Sequence, residues 1–418
     1  MPGLVPSKCN VLRKDRIMKN LVVCGGGSSA HTLIPLLNHS EFNVSLYTSR
    51  PESWSKTVSL EWLNPSGEVL GVYSGELEAV SDSPRELFPS ADYIVFCMPV
   101  HQYRKCLHEI APYLARDKQV FIGTVYGQGG WNWMVDEIKK EQGLTNIVTF
   151  AFGLIPWICR IREYGHTGIT YGFKERTYAA VHPNEYFEQV RKEFFDQICF
   201  RWFGIGKTEQ SENFLSLTLS VDNQIIHTSR CLGLYKVYGK TWDRQEDVPW
   251  FYKDYDDLSA DLLGDLDKDY SAIREAIKAM YSEKDFRFML DYLSLDRYSY
   301  NADENENIKD SFLNSVTLCS IGTPVVKNAA GKWELDRNYR FFMDDIYYGN
   351  CIAKWMAEQL GIKTPTIDEI LRWAEDVRGE KFLDKNDHLI VDSPDLCEPL
   401  KSGLPCYYGF KTIQDCVD

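Results

Sequence analysis

The chain has 418 residues, 44% of them hydrophobic and 25% charged, and a formal net charge of −14. That length gives two or three domains with ample core, and the composition is that of an ordinary globular protein. No basic stripe offsets the acidic balance, which excludes a nucleic-acid partner and argues against an anionic membrane surface; no run of about 18 apolar residues exists to span a bilayer.

Twelve cysteines are scattered singly, with no C-x-x-C pair and no Cys/His cluster of zinc spacing. No metal site is expected, and the cysteine usage reads as a reduced cytoplasmic protein. Residues 1–17 read as a basic, disordered leader without a signal-peptide pattern.

From residue 18 the chain alternates strands and helices. Asn20–Cys24 and Asn43–Thr48 read as strands, and Thr57–Gly67 with Gly71–Val80 as a hairpin-like excursion around Pro65-Ser66-Gly67. Ala91–Pro99, Gln119–Thr124 and Ile147–Phe152 are near-continuous apolar runs, as expected of strands buried on both faces. Helical stretches Gln102–Leu114 and Trp131–Glu141 lie between them, and Thr177–Pro183 closes the sheet. This alternation predicts an α/β Rossmann domain, a doubly wound parallel sheet, over 18–205. Tyr186–Gln210 reads as a linker. An all-helical C-terminal domain over 206–418 is expected from Phe214–Leu234, Asp256–Leu266, Tyr270–Tyr281, Ile346–Leu360 and Thr366–Arg378. Pro365 before Thr366-x-x-Glu369 suggests a capping box, and Tyr298–Glu306 reads as a loop.

The first strand runs into Gly25-Gly26-Gly27-Ser28-Ser29-Ala30, and an amphipathic helix begins at once. This is a dinucleotide-binding fingerprint: Gly25 for the tight turn, Gly27 for close approach of the pyrophosphate, Ala30 for helix–strand packing. The helix N-terminus, with Ser28 and Ser29, faces the phosphates. Pro99, ending its strand, joins the cofactor-binding set. After the second strand stand Thr48, Ser49 and Arg50, with no carboxylate at the strand end. That arrangement suits a 2′-phosphate, so Arg50 leans toward NADPH while NADH stays open.

Two polar stretches carry candidate chemistry. Asn223 and His227 are four apart and share a helix face, and His is the default general acid/base; on the residues alone a hydrogen-bonded structural His is the commoner reading. Asp336–Ile346 holds Arg337, Arg340, Asp344 and Asp345. The aspartates fit helix caps, or one fits as the partner of a His, with an arginine clamping a substrate carboxylate. Spacing alone cannot pair this stretch with His227. Trp131, Trp133, Trp242 and Trp250 are candidates for a pocket wall or for plain packing.

The chain resembles the opine dehydrogenases of the octopine/nopaline dehydrogenase family, in the marine-invertebrate type. The resemblance rests on Cys24–Leu33, Pro156-Trp157-Ile158-Cys159-Arg160-Ile161, Asn223-x-x-x-His227, Arg340-x-x-x-Asp344-Asp345-Ile346, Leu371-x-Trp373-Ala374 and Tyr408-Gly409-Phe410, in that order. It implies an NAD(P)H-dependent enzyme that condenses an amino acid with a 2-oxo acid, commonly pyruvate, and reduces the resulting imine. By the same resemblance His227 is the acid/base and Asp345 orients it, with Asp344 the fallback if the register slips by one. Arg340 and Asn223 bind substrate. Gly153 stands where the arginine-using enzymes carry a carboxylate, which points to smaller donors such as taurine, glycine, alanine or β-alanine. The expected partners are these small molecules, and the expected state is monomer or homodimer. Competing readings are a two-domain dehydrogenase of the ketopantoate-reductase or glycerol-3-phosphate type, and a non-catalytic NAD(P)-binding protein.

Overall fold

The computed structural model describes residues 18–38, 40–302, 305–313, 315, 318, 321–397 and 402–417. The 1–17 leader, with Cys9, and residues His39 and Cys319 lie outside the described residues.

Twelve strands occupy the first half of the chain. They are β1 Lys19–Cys24, β2 Phe42–Tyr47, β3 Thr57–Leu63, β4 Val69–Glu76, β5 Val80–Ser81 and β6 Tyr93–Phe96, followed by β7 Val120–Thr124, β8 Ile147–Phe152, β9 Trp157–Glu163, β10 Thr167–Phe173, β11 Arg176–His182 and β12 Lys207–Ser211. Eight form one sheet in the order β12-β11-β8-β7-β6-β1-β2-β5. The run from β5 to β8 is parallel throughout. Its order is that of doubly wound dinucleotide-binding folds, which reverse direction between their first and fourth strands. Here that switch point lies between β1 and β6, whose carboxyl ends sit side by side, Cys24 against Phe96. Strands β6, β7 and β8 are buried at every residue, as their apolar runs predict, whereas β2 alternates.

The expected hairpin exists as β3–β4, but it does not stand alone. It joins β9 and β10 in a second sheet, ordered β4-β3-β10-β9. Neither β9 nor β10 was anticipated as a strand. This sheet lies over the Ser28–Leu36 helix. Gly168 allows the contact, since a Cβ there would come within 2.9 Å of the His31 Cβ.

Other expectations need correction. The 186–210 linker contains helical turns between Asn184 and Phe203 and then β12, which adds to the first sheet beyond the expected boundary at 205. β11 does not close the sheet, because β12 lies outside it. Phe214–Leu234 is two helices, Phe214–Leu219 and Asn223–Tyr238, broken where Asp222 caps the second by accepting from the Asn223 amide. The two stretches after Asp256 fuse into one helix, Asp257–Met280. The capping box at Thr366 does not form. Pro365 is the first helical residue, and the free Thr366 and Ile367 amides donate to the distant Asp269 carboxylate at 2.8 and 3.0 Å. Glu369 instead pairs with Lys236. Among the described residues the regular structure of the C-terminal half is helical apart from a two-stranded ribbon, Val325–Lys327 with Trp333–Leu335, and two isolated bridges.

One apolar core runs from one face of the eight-stranded sheet into the helical half; a second fills the space between the two sheets. Trp131 and Trp133 are fully inside the first, Trp242 is buried and Trp250 is exposed; none of the four borders the central cavity. Among the described residues no helix is long and apolar enough to cross a membrane.

Candidate active site

The glycine loop follows β1 at the switch point. Gly25 has φ +103°, and a Cβ there would lie 2.7 Å from the Cys97 carbonyl oxygen. Only glycine tolerates both demands. Gly27 caps the Ser28–Leu36 helix without a side-chain bond, and the Ser28 and Ser29 amides have no partner among the described residues. Free amides on a positive helix end are what a pyrophosphate needs. Ala30 is fully buried. His31 fastens the loop to the second sheet: its Nδ1 meets the Gly27 carbonyl at 2.9 Å, and its Nε2 accepts the Gly165 N–H at 2.7 Å. Burial holds its pKa below the ordinary histidine value.

At the end of β2, Thr48 is buried beside Gly26, while Ser49 and Arg50 are exposed. The Arg50 guanidinium lies 4.2 Å from the Tyr164 ring centroid. Glu52 follows on an exposed turn. These residues stand at the end of the second strand, where doubly wound dinucleotide-binding folds read the adenosine ribose.

The helical half brings together residues far apart in sequence. His227 Nδ1 lies 2.7 Å from Asp345 Oδ2 across 118 positions. Both side chains are almost entirely shielded from solvent. The His227 ring stacks on Phe341, with centroids 3.6 Å apart. Its Nε2 is 3.1 Å from the Tyr252 hydroxyl. Burial, reinforced by the Arg340 charge, pushes the His227 pKa well below its ordinary value. Burial likewise pushes the Asp345 carboxyl up, with Arg340 opposing. The lowered pKa favours a neutral His227, and with Asp345 as the carboxylate the tautomer that fits has Nδ1–H donating to Asp345, which leaves Nε2 to accept from Tyr252.

The backbone explains how two adjacent aspartates diverge. The short Arg340–Met343 helix passes into a wide π turn at Ile346–Asn350, and neither aspartate caps a helix through its side chain. π turns recur at functional sites because they re-aim side chains. Asp345 turns to His227, whereas Asp344 accepts from His101 Nδ1 at 2.6 Å and from the His101 amide at 3.1 Å. Arg340 reaches open space, and its guanidinium has no ion-pair partner among the described residues.

These groups border a cavity of about 620 Å³ between the two halves. Gly27, Ser28, Ser29 and Pro99 line it from the sheet; Asn223, Tyr252, Arg340 and Asp345 line it from the helices. Thr48, Ser49 and Arg50 do not line it, nor does His227, which touches three residues that do, Tyr252, Phe341 and Asp345. Tyr252 is held by Arg230, a fully buried arginine whose guanidinium donates to the Phe251, Trp250 and Asp254 carbonyls and pairs with Asp256 at 2.6 Å.

Tyr252, His101, Arg230, Arg160 and Lys174 escaped the sequence reading. Each acquires its place only through long-range packing, although Arg160 lay in a motif of the resemblance and Arg230 in the predicted helix that carries His227.

Comparisons with known proteins agree with this architecture. Residues 210–378 match the family model "NAD/NADP octopine/nopaline dehydrogenase, alpha-helical domain". The chain is 24% identical over 379 residues to a tauropine dehydrogenase of Arabella iricolor, covering 87% of this chain and 92% of that protein. It is 25% identical over 386 residues to an opine dehydrogenase of Haliotis discus hannai, covering 87% and 91%. Among solved structures, an octopine dehydrogenase in complex with NADH and agmatine superposes with TM-score 0.79 at 19% identity, over 96% of this chain and 98% of that one. The helical domain of the octopine/nopaline dehydrogenase family is thus matched over residues 210–378, and the two-domain fold is that of the superposed octopine dehydrogenase.

Proposed function

We propose that the protein condenses a small amino acid with a 2-oxo acid such as pyruvate, and reduces the product with NAD(P)H. One observation carries this reading: the His227–Asp345 pair and the unpaired Arg340 converge on the cavity into which the glycine loop opens. When bound, the nicotinamide supplies the hydride that reduces the imine carbon.

The protein's own groups do the rest. Arg340 takes the 2-oxo acid's carboxylate in a bidentate fork, fixing the keto carbon for attack by the amine. Docking of that carboxylate offsets the Arg340 charge, which otherwise opposes protonation of His227. His227 then becomes an acid whose charge Asp345 balances. Tyr252 stands between His227 and the cavity, so the proton travels from Nε2 to the Tyr252 oxygen as the Tyr252 proton passes to the keto oxygen. The C–N bond forms, water leaves, and hydride addition completes the secondary amine. Per turnover, one amine, one oxo acid, one NAD(P)H and one proton give one opine, one NAD(P)⁺ and one water.

Small donors are favoured by Gly153. A Cβ there would lie 2.2 Å from the Tyr178 ring, so no carboxylate-bearing side chain fits. Arg50 with Thr48 and Ser49 favours NADPH. The dinucleotide-binding half runs in this reading through Ser211, the state is a monomer or homodimer, and a cytoplasmic location is in keeping with the ten free thiols among the described residues.

The test is His227→Ala beside Tyr252→Phe. His227→Ala is expected to lose turnover by at least about 100-fold with cofactor affinity retained. Tyr252→Phe is expected to lose about 10- to 100-fold and to shift the pH profile. An unchanged rate in either variant removes that residue from the proton path.

A further inference from the structure

The proposed reaction joins two acids, and Arg340 accounts for only one of them. The cavity holds two other cationic side chains, Arg160 and Lys174. Lys174 is engaged: its ammonium donates to the Ile155 carbonyl at 2.9 Å, lies over the Tyr300 ring and sits in the field of Asp222 and Asp296. Arg160 is not. Its single hydrogen bond runs from Nη1 to the Cys159 carbonyl at 2.6 Å, and no carboxylate pairs with it among the described residues.

The contrast with its neighbour sharpens the point. Arg160 and Arg162 are two apart on β9, on either side of Ile161, with Arg162 at an irregularity in the pairing with β10. Arg162 pairs with Glu61 on β3 at 2.7 Å. Among the described residues there is a counter-ion for Arg162, which lies outside the cavity lining, and none for Arg160, which lies on it. An arginine left bare in a cleft is a fork waiting for an acid. It also stands near the reacting centre, since Arg160 and Arg340 both act on the Tyr252 phenol electrostatically.

We propose that Arg160 is the second acid clamp, binding the carboxylate or sulfonate of the amino donor while Arg340 binds that of the 2-oxo acid. The substrate class follows: the donor is a primary amine bearing an acid group, and a plain amine of equal length is a poor substrate. The two arginines come from opposite halves of the molecule, β9 and the Arg340–Met343 helix. A diacid product therefore bridges the halves, which a mono-acid cannot do. This inference rests on the proposed reaction.

Removing the acid group from alanine, β-alanine or taurine leaves the same molecule, ethylamine. Steady-state rates with saturating pyruvate and NADPH are compared for the best of these three donors and for ethylamine, in wild type, Arg160→Gln and Arg160→Lys. Arg160→Gln is expected to lower kcat/KM for the amino acid about 10- to 100-fold, mainly through KM. The ethylamine rate, the KM of pyruvate and the Kd of NADPH by fluorescence stay unchanged. Arg160→Lys recovers part of the loss. Where ethylamine turnover is too slow to measure, the Ki of propionate against the amino acid at saturating pyruvate replaces it, and should rise by a similar factor. A fall in NADPH affinity would overturn the proposal and assign Arg160 to the cofactor phosphates. An unchanged amino-acid KM, or equal losses for ethylamine, would also overturn it. A wild-type enzyme with no amine-dependent oxidation of NADPH would instead refute the underlying reaction.

Discussion

Replacing Asp345 by Asn keeps the side chain's size and changes only charge and hydrogen-bonding sense. The carboxylate accepts from His227 Nδ1 at 2.7 Å, with both side chains shielded from water. An amide turned to donate would place the imidazole proton on Nε2, the nitrogen that must accept from and give to Tyr252. The charge that balances the imidazolium is lost as well. For charge centres about 4 Å apart and an effective dielectric near 20, that attraction is about 4 kcal/mol, or about 10³-fold in rate. The assay follows NAD(P)H absorbance with pyruvate and amino acid saturating, alongside cofactor Kd by fluorescence. Asp345→Asn should lose about 10³-fold in kcat with Kd unchanged. Asp344→Asn, whose carboxylate serves His101 instead, should stay within about tenfold of wild type. A rate for Asp345→Asn within about tenfold of wild type would refute the charge-pair reasoning.

The other expectations concern the cofactor side. Arg50→Ala should weaken NADPH binding and leave NADH binding unchanged; equal effects on both would remove Arg50 from phosphate recognition. His31 has a depressed pKa in the folded state, so the unfolded chain binds more protons below about pH 6.5. Stability should therefore fall as pH drops from that value toward the folded pKa, where His31⁺ can no longer accept the Gly165 N–H. Thermal unfolding of His31→Gln should show a shallower loss over the same range, and an identical slope in both proteins would contradict the assignment.

The dinucleotide loop was legible because its requirements are local. A turn at positive φ, a helix end without a cap and a buried Ala30 are each written within six residues. The strands β6, β7 and β8 were legible because burial on both faces leaves continuous apolar runs. β9 and β10 were not: Arg160 and Arg162 interrupt one, and Gly168 and Gly172 the other. The first pair serves the cavity and Glu61; Gly168 serves close packing over His31. The break at Ser220–Asp222 was hidden because apolar spacing continues across it, while Asp222 caps the second helix. Asn223, His227, Arg340 and Asp345 were each visible as candidates. Their meeting was not, since 118 residues separate the histidine from its carboxylate and a π turn decides which of two aspartates faces it. Tyr252 carried no local signal at all. Its place depends on Arg230, which gathers the carbonyls of residues 250, 251 and 254 around a buried guanidinium.

The most direct test of the central claim is amine dependence. Purified protein is mixed with pyruvate and NADPH, and with NADH in parallel, before and after addition of taurine, glycine, alanine or β-alanine. The account predicts no oxidation of the reduced cofactor until an amino acid is added, and then consumption of one cofactor per secondary amine formed. Full oxidation with pyruvate alone would contradict it and place the protein among the simple 2-oxo acid reductases.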